Sequence, residues 1–226
     1  MIAATNLKDT FGQIDIYLFD QLLRGRIPPG SKILDAGCGS GRNIQYLLDA
    51  GYDVSAVDTD PNAVSDVLRM AGELNPSLPP ANFRREPVEA MSFPDASMDV
   101  VLSIAVLHFA LDDAQFDGML ESMGRVLKPG GLFFCRLASN IGMESRMLPR
   151  RGRRHLLPDA SERYLVDEAM LIEWAVRLGG SLIDPLKTTI VQDQRCMTTW
   201  VVRKNVTLNS EVKTAANRTA ISERAG

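Results

Sequence analysis

Gly37, Gly39 and Gly41 alternate with other residues a short distance after Asp35, and Asp58 lies one strand–helix unit further on. Glycine in a strand-to-helix turn lets the backbone reverse sharply and approach a ligand closely. A helix N-terminus just beyond such a turn offers unpaired N–H groups and the positive end of the helix dipole. This suits a nucleotide-like ligand that carries a carboxylate or a phosphate. The dinucleotide fingerprint G-x-G-x-x-G sets its third glycine one residue later, where this chain has Arg42. Asp35 would oppose a pyrophosphate but attracts an ammonium group. A carboxylate at Asp58, the end of a second apolar stretch, can accept hydrogen bonds from two ribose hydroxyls. An ammonium-seeking acid, a glycine loop and a ribose-seeking acid together describe a nucleoside joined to an amino acid, and S-adenosylmethionine is such a molecule.

The elements that must position these groups are legible from pattern. Residues 32–36 read as a short buried strand, followed by the glycine loop and a helical segment through Leu47 and Leu48. Residues 53–58 form a second strand; Asp60 caps the next helix and Pro61 suits its first turn. Pro76, Pro79 and Pro80 break the chain before a third strand near Phe83. Residues 98–106 are almost continuously apolar, as a strand covered on both faces should be. Asp112 opens a helix with Phe116, Met119, Leu120, Met123, Val126 and Leu127 on its apolar face, stopped at Lys128-Pro129-Gly130-Gly131. A fifth strand covers residues 132–137. Asp167 caps a last helix, ended by Gly179-Gly180. Residues 182–191 and 196–203 are separated by so short a link that they form an antiparallel hairpin. Repeated strand–helix units predict a Rossmann-like, doubly wound α/β fold: a mostly parallel seven-stranded sheet with the antiparallel hairpin at its end, in three α/β/α layers.

Four segments carry a family resemblance. Leu34-Asp35-Ala36-Gly37-Cys38-Gly39-Ser40-Gly41 resembles the first motif of class I S-adenosylmethionine-dependent methyltransferases. Val57-Asp58 resembles the acidic end of their second strand, and residues 93–101 (Phe-Pro-Asp-Ala-Ser-Met-Asp-Val-Val) their entry to strand four. Residues 125–131 (Arg-Val-Leu-Lys-Pro-Gly-Gly) are similar to their turn into strand five. The resemblance spans about Ile33 to Leu137 and looks closest to the type 11/12 methyltransferase group. It implies that S-adenosylmethionine is held by Asp35, Gly37, Cys38, Gly39 and Gly41, with Asp58 on the ribose, Thr59 beside the adenine, and Ser103 on the fourth strand. Pro87 stands where the family often has an acid that grips the adenine amine, so that role passes to Glu86 or Glu89, with the Val88 backbone N–H toward the ring.

The acceptor side is less marked. His108 follows the fourth strand, where open α/β sheets bind ligands, and is a candidate general base; a packing or capping histidine is the alternative. Tyr17, in an N-terminal cap region at residues 1–30, could fold over the cofactor or simply pack with Ile14, Leu18 and Leu22. Arg146, Arg150, Arg151, Arg153 and Arg154 crowd a segment without acids, inside a polar stretch at residues 140–166 with little periodicity. It reads as an insertion or lid in which Arg150 and Arg154 recognise an anionic small-molecule acceptor, or as a solvated loop.

Bulk properties set the limits. A chain of 226 residues suits one well-cored domain, here residues 1–204, with 205–226 a Thr-, Asn- and Ala-rich mobile tail. A net charge of −3 argues against a nucleic-acid binder. The absence of an Asn/Asp-Pro-Pro-Tyr segment and of a Pro-Cys nucleophile argues against DNA-base methylation. The opening residues lack a basic segment followed by an apolar run, and no stretch is apolar for long enough to span a membrane. Cys38, Cys135 and Cys196 are too dispersed for a zinc site and fit a reducing, cytoplasmic compartment. No metal is expected. Methyl transfer to a small molecule is the leading expectation. A catalytically silent adenosylmethionine-binding protein is the alternative, and a nicotinamide-dependent oxidoreductase the reading that Asp35 and the early third glycine oppose.

Overall fold

The computed structural model describes residues 7–206. Five parallel strands form the centre of the sheet: β1 (Lys32–Ala36), β2 (Asp53–Asp58), β3 (Phe83–Arg85), β4 (Met98–Ile104) and β5 (Leu127–Ala138). β1 lies between β2 and β4, and β5 flanks β4. Three further strands close the far edge, β9 (Gly180–Leu182), β10 (Lys187–Val191) and β11 (Arg195–Lys204), all running antiparallel to their neighbours.

The sheet therefore has eight strands rather than seven. Residues 182–191, expected as one strand, divide at Asp184-Pro185. Proline has no N–H to give to a ladder, and the buried Asp184 turns away to meet Arg26 at 2.6 Å and Gln21 at 3.1 Å. β9 then pairs with one end of β11 and β10 with the other. Gln192 and Asp193, both with positive φ, make the tight turn into β11.

Helices cover both faces because each carries one apolar stripe. α5 (Asp113–Val126) and α6 (Glu168–Arg177) bury Phe116, Leu120, Met123, Leu171 and Trp174 against one face, over Phe133 and Trp200 of the sheet. α2 (Ile16–Leu23), α3 (Gln45–Asp49) and α4 (Pro61–Leu74) cover the other with Leu18, Leu47, Leu48 and Val67, over Val54, Leu102 and Phe134. A short N-terminal helix α1 (Leu7–Phe11) meets α3 through Phe11 and Tyr46, whose ring centroids lie 4.8 Å apart. Four aspartates cap the helices that follow them: Asp15 accepts from Tyr17 N, Asp60 from Asn62 N, Asp112 from Gln115 N and Asp167 from Met170 N.

The segment at residues 140–166 has more regular structure than its sequence suggests. It folds as a small antiparallel sheet, β6 (Leu148–Arg151), β7 (Arg154–Leu156) and β8 (Glu162–Tyr164), and Tyr164 stacks on Phe116 of α5 with centroids 4.7 Å apart. Of the tail expected at residues 205–226, the part from 207 on lies outside the described residues. Among the described residues no helix is long and apolar enough to cross a membrane.

Candidate active site

In the strand order β5-β4-β1-β2-β3 the chain winds one way from β1 and the opposite way from β4, and the crevice beyond their carboxyl ends is where such sheets bind ligands. A cavity of about 610 Å³ occupies that crevice. Gly37, Cys38 and Gly39 line it beyond β1, Asp58 and Thr59 at the end of β2, and Glu86, Val88 and Glu89 after β3. Ile104, Ala105 and Val106 line it at the end of β4. Phe109, Leu111, Gln115 and Met119 complete the wall on the α5 side.

The glycine loop is held to β2. The amides of Gly37 and Cys38 both donate to Val57 O, at 2.9 and 3.0 Å, and the amide of Gly39 donates to Asp58 Oδ2 at 2.9 Å. Asp58 Oδ1 accepts from Asp60 N at 3.0 Å, so both carboxylate oxygens are fixed. At Gly37 φ is +83°, and a Cβ would lie 2.5 Å from Val106 Cγ2. At Gly39 φ is +51°, but a Cβ would meet no atom within 4 Å. The first glycine is thus required by packing as well as by backbone conformation, and the second leaves its α-carbon bare toward open space. Ala105, with φ of 62°, is a strained non-glycine residue at the mouth of β4.

Asp35 lies behind the loop, 1% exposed, and its Oδ2 has no hydrogen-bond partner among the described residues. Burial first, and then the nearby Asp58 charge, push its carboxyl up to about 7, against a smaller opposite pull from Arg42. A buried acid without a partner is costly, and a cationic ligand arriving beside it relieves that cost. The Cys38 thiol is pushed far above its ordinary value by burial and then by Asp35 and Asp58, so it stays a neutral, small loop residue.

The N-terminal region reaches the loop through Asp15, the N-cap of α2. Its backbone N–H donates to Asn43 Oδ1 at 3.0 Å, and its buried carboxylate meets Arg136 of β5 at 2.6 Å. Asn43 lines the cavity. Tyr17 does not. Its hydroxyl lies 2.8 Å from Thr189 Oγ1 of β10, and the Arg136 guanidinium sits over its ring. His108 also lies outside the lining, buried in the turn at Leu107–Phe109, and its Nδ1 accepts from Ala138 N at 3.1 Å. Burial, with a smaller contribution from Arg163, lowers its value to about 4 and keeps the imidazole neutral.

Of the residues singled out in the sequence, Gly37, Cys38, Gly39, Asp58, Thr59, Glu86, Val88 and Glu89 share this one cavity. Gly41 lies behind it, where a Cβ would sit 2.9 Å from Val67 of α4, and Ser103 is buried inside β4. Arg150 is exposed on β6, and Arg154 is held by Glu162 at 2.6 Å and by Ala110 O at 2.8 Å. Neither lines the cavity. Arg153 is paired with Asp167 and Arg146 with Asp193, so much of the arginine cluster is spent on holding the small sheet in place. The lining residues that sequence reasoning missed are chiefly Asn43, Ala105, Phe109, Gln115 and Met119. Position at the end of β4 could have found Ala105; the others have no local signature.

Fold and site together define an α/β protein with a ligand-sized pocket at a topological switch point. Residues 34–135 match the family described as "Methyltransferase domain". The chain is 37% identical over 107 residues to 2-methyl-6-phytyl-1,4-hydroquinone methyltransferase of Synechocystis, a match covering 47% of this chain and 31% of that protein. It is 36% identical over 121 residues to the eEF1A lysine and N-terminal methyltransferase of Bos taurus, covering 50% and 17%. The crystal structure of Burkholderia thailandensis 1,6-didemethyltoxoflavin-N1-methyltransferase, with 1,6-didemethyltoxoflavin and S-adenosylhomocysteine bound, has the same fold. Its TM-score is 0.65 at 19% identity, over 88% of this chain and 81% of that one. The matched segment, somewhat under half of the chain, is similar to class I S-adenosylmethionine-dependent methyltransferases. The chain spans between about a third and a half of the length of the first curated relatives it matches.

The residues present fit S-adenosylmethionine. The unpartnered buried carboxylate of Asp35 suits its ammonium group, Asp58 its ribose, and the bare α-carbon of Gly39 borders the space between them.

Proposed function

We propose that this chain transfers a methyl group from S-adenosylmethionine to a small-molecule acceptor. The observation that carries the reading is that the glycine loop and Asp58 line one cavity of about 610 Å³, with the unpartnered Oδ2 of Asp35 buried in the strand that leads into that loop. That volume lies in the range that encloses small ligands. Names of similar proteins support a small acceptor, since one specifies a hydroquinone and another 1,6-didemethyltoxoflavin.

When bound, the cofactor supplies a methyl group already activated on a sulfonium, so the protein's task is alignment and exclusion of water. Asp58, ordered by the Gly39 amide, would hold the ribose end of the ligand and Asp35 its ammonium end. Ile104, Val106, Phe109, Leu111 and Met119 form an apolar wall of the cavity. Among the lining residues Arg42 is the only cation. An anionic acceptor would therefore depend on movement of the small sheet that carries Arg150 and Arg154. His108 is outside the cavity lining, is weakly basic because of its burial, and has its Nδ1 engaged by Ala138 N, which favours catalysis by positioning over histidine base catalysis.

The test is release of S-adenosylhomocysteine across a metabolite panel that includes hydroquinones and N-heterocycles, beside a cell extract depleted of small molecules. Turnover on a panel member supports the proposal. Labelling of a protein in the extract alone would move the acceptor to a macromolecule, and tight cofactor binding without turnover on either would make the chain a binding protein.

A further inference from the structure

We propose that Phe109 and Leu111 form an apolar lip on the cavity that takes the uncharged, apolar body of the methyl acceptor, and that Arg154 and Arg163 are positioning residues for this lip. The proposal rests on the reading of the cavity as an S-adenosylmethionine site, and it names the class of acceptor that the same site selects.

Phe109 is 54% exposed and Leu111 67% exposed, yet both line the cavity. Side chains that meet cavity and solvent together stand where the cavity opens. A single exposed apolar side chain is ordinary on a protein surface. Two that share one cavity wall, a residue apart, make the kind of patch that meets a ligand. Ala110 between them is fully buried, so the segment is anchored in the core at its middle and exposed on either side.

Each of these three residues is held by a different partner. The Arg163 guanidinium of β8 lies over the Phe109 ring, 4.8 Å from its centroid. Arg154 of β7 donates to Ala110 O at 2.8 Å. Gln115 of α5 accepts from Leu111 N at 2.9 Å. The small sheet that carries the two arginines is itself fixed to α5, because Tyr164 Oη donates to Asp113 Oδ1 at 2.7 Å. A lip ordered in this way loses little freedom when a ligand docks on it, and such preorganisation raises affinity.

Placement and charge assign the lip to the acceptor. On the reading above the donor is held at Asp35 in β1 and at Asp58, which ends β2. The lip follows β4, on the opposite side of β1 from β2, and so is left to the second reactant. The charged lining residues Arg42, Asp58, Glu86 and Glu89 come from the glycine loop and the segments after β2 and β3. The arginines nearest the lip are turned to the protein: Arg154 meets Glu162 at 2.6 Å, and Arg163 donates to Glu162 O at 2.8 Å. They shape the wall rather than offer it a charge.

The experiment is equilibrium binding of 1-naphthol, uncharged at neutral pH, and of 1-naphthoate, its anionic counterpart, to the full chain saturated with S-adenosylhomocysteine. The wild type is expected to bind 1-naphthol more tightly than 1-naphthoate. Phe109→Ala should weaken 1-naphthol at least about tenfold, as loss of a large apolar contact does, and Leu111→Ser should weaken it in the same direction. Arg163→Leu should weaken it about two- to fivefold, the range of an exposed cation–π contact, and Arg163→Lys should restore it. S-adenosylhomocysteine affinity is expected to be unchanged in all four. Tighter binding of 1-naphthoate, lost in Arg163→Leu, would make the arginine a ligand for an anion and overturn the proposal. So would 1-naphthol binding that survives both Phe109→Ala and Leu111→Ser, or no 1-naphthol binding at all. Equal weakening of 1-naphthol and S-adenosylhomocysteine in Arg163→Leu would mean a merely structural role and would overturn the positioning claim. Thermal melts check folding; if Arg163→Leu does not fold, Arg163→Gln is read in its place with the same expected loss. Failure of the wild type to bind S-adenosylhomocysteine overturns the reading of the cavity itself, whereas normal S-adenosylhomocysteine binding without the 1-naphthol pattern overturns only the lip.

Discussion

The amide of Gly39 donates a 2.9 Å hydrogen bond to Asp58 Oδ2, joining the glycine loop after β1 to the acid that ends β2. The two motifs that identify the cofactor are therefore one physical unit. The loop amide orders the carboxylate, and the carboxylate satisfies an amide that the turn would otherwise leave without a partner. Asp58→Asn keeps the size of the side chain but removes its charge. S-adenosylhomocysteine affinity is expected to fall at least about tenfold, because charge-assisted hydrogen bonds to the ribose become neutral ones. Calorimetry at neutral pH checks this. Unchanged affinity would take the ribose role away from Asp58.

Asp35 and His108 should shape the pH dependence in opposite senses. The Asp35 carboxyl rises from 3.8 to about 7 on folding. Its contribution to stability is full below pH 3.8 and is lost as pH rises toward 7, by roughly 4 kcal/mol at about 1.4 kcal/mol per unit. His108 falls from 6.5 to about 4. Its contribution is full above pH 6.5 and is lost as pH falls toward 4, by roughly 3 kcal/mol. The two slopes oppose each other between about pH 4 and 6.5 and leave the free protein with a shallow profile there. Asp35→Asn should make stability climb with pH across this window, and His108→Gln should make it fall. Urea unfolding at half-unit pH steps reads both; a wild-type profile that neither substitution tilts would remove these two groups as its cause.

Ligand affinity should follow Asp35 as well. A cationic ammonium prefers the ionised carboxylate, so S-adenosylhomocysteine binding is expected to strengthen as pH rises toward about 7, by at most about tenfold per unit, and then to level off. Calorimetry below pH 7 in buffers of differing ionisation enthalpy should register release of a proton on binding. No proton release, with equal affinity in Asp35→Asn, would separate the ammonium from Asp35.

Gly37 and Gly39 should fail differently when changed to alanine. Both have positive φ, which costs an L-residue about 1–2 kcal/mol. At Gly37 the new methyl also meets Val106 at 2.5 Å, so a large drop in melting temperature is expected with or without ligand. At Gly39 the methyl meets nothing, so stability should fall only by the backbone cost while ligand affinity falls sharply. Thermal melts and titrations on the pair distinguish the two. Equal destabilisation would mean that the loop tolerates no side chain at either point.

His108→Gln offers a direct reading of chemistry against packing. Glutamine keeps an acceptor for the Ala138 amide and loses the imidazole. Methyl transfer at neutral pH is expected to stay within a few-fold of wild type. A loss of about a hundredfold or more, in the range ascribed to general bases, would restore His108 to catalysis.

The helix caps at Asp60, Asp112 and Asp167, the glycine loop, the acid at the end of β2 and the terminal hairpin were all legible, because each is decided by atoms a few residues apart. The division of residues 182–191 was harder to read, since it depends on Asp184 finding Arg26 from the opposite end of the chain. The engagement of the arginine cluster was hidden for the same reason. Its partners Asp167, Glu162, Asp193 and Ala110 O come from different elements, and only packing shows that these charges already have work to do.

By itself, then, the sequence determined the fold class, the loop and the methyl donor, since positive φ, capping and apolar periodicity are local properties that residue types impose wherever the chain goes. Tertiary structure decided how the two acids of the β3–β4 connection are engaged. Glu86 and Glu89 are equivalent as letters. They differ only because Ser92 engages one of them while Gln115, brought in from another helix, holds the other.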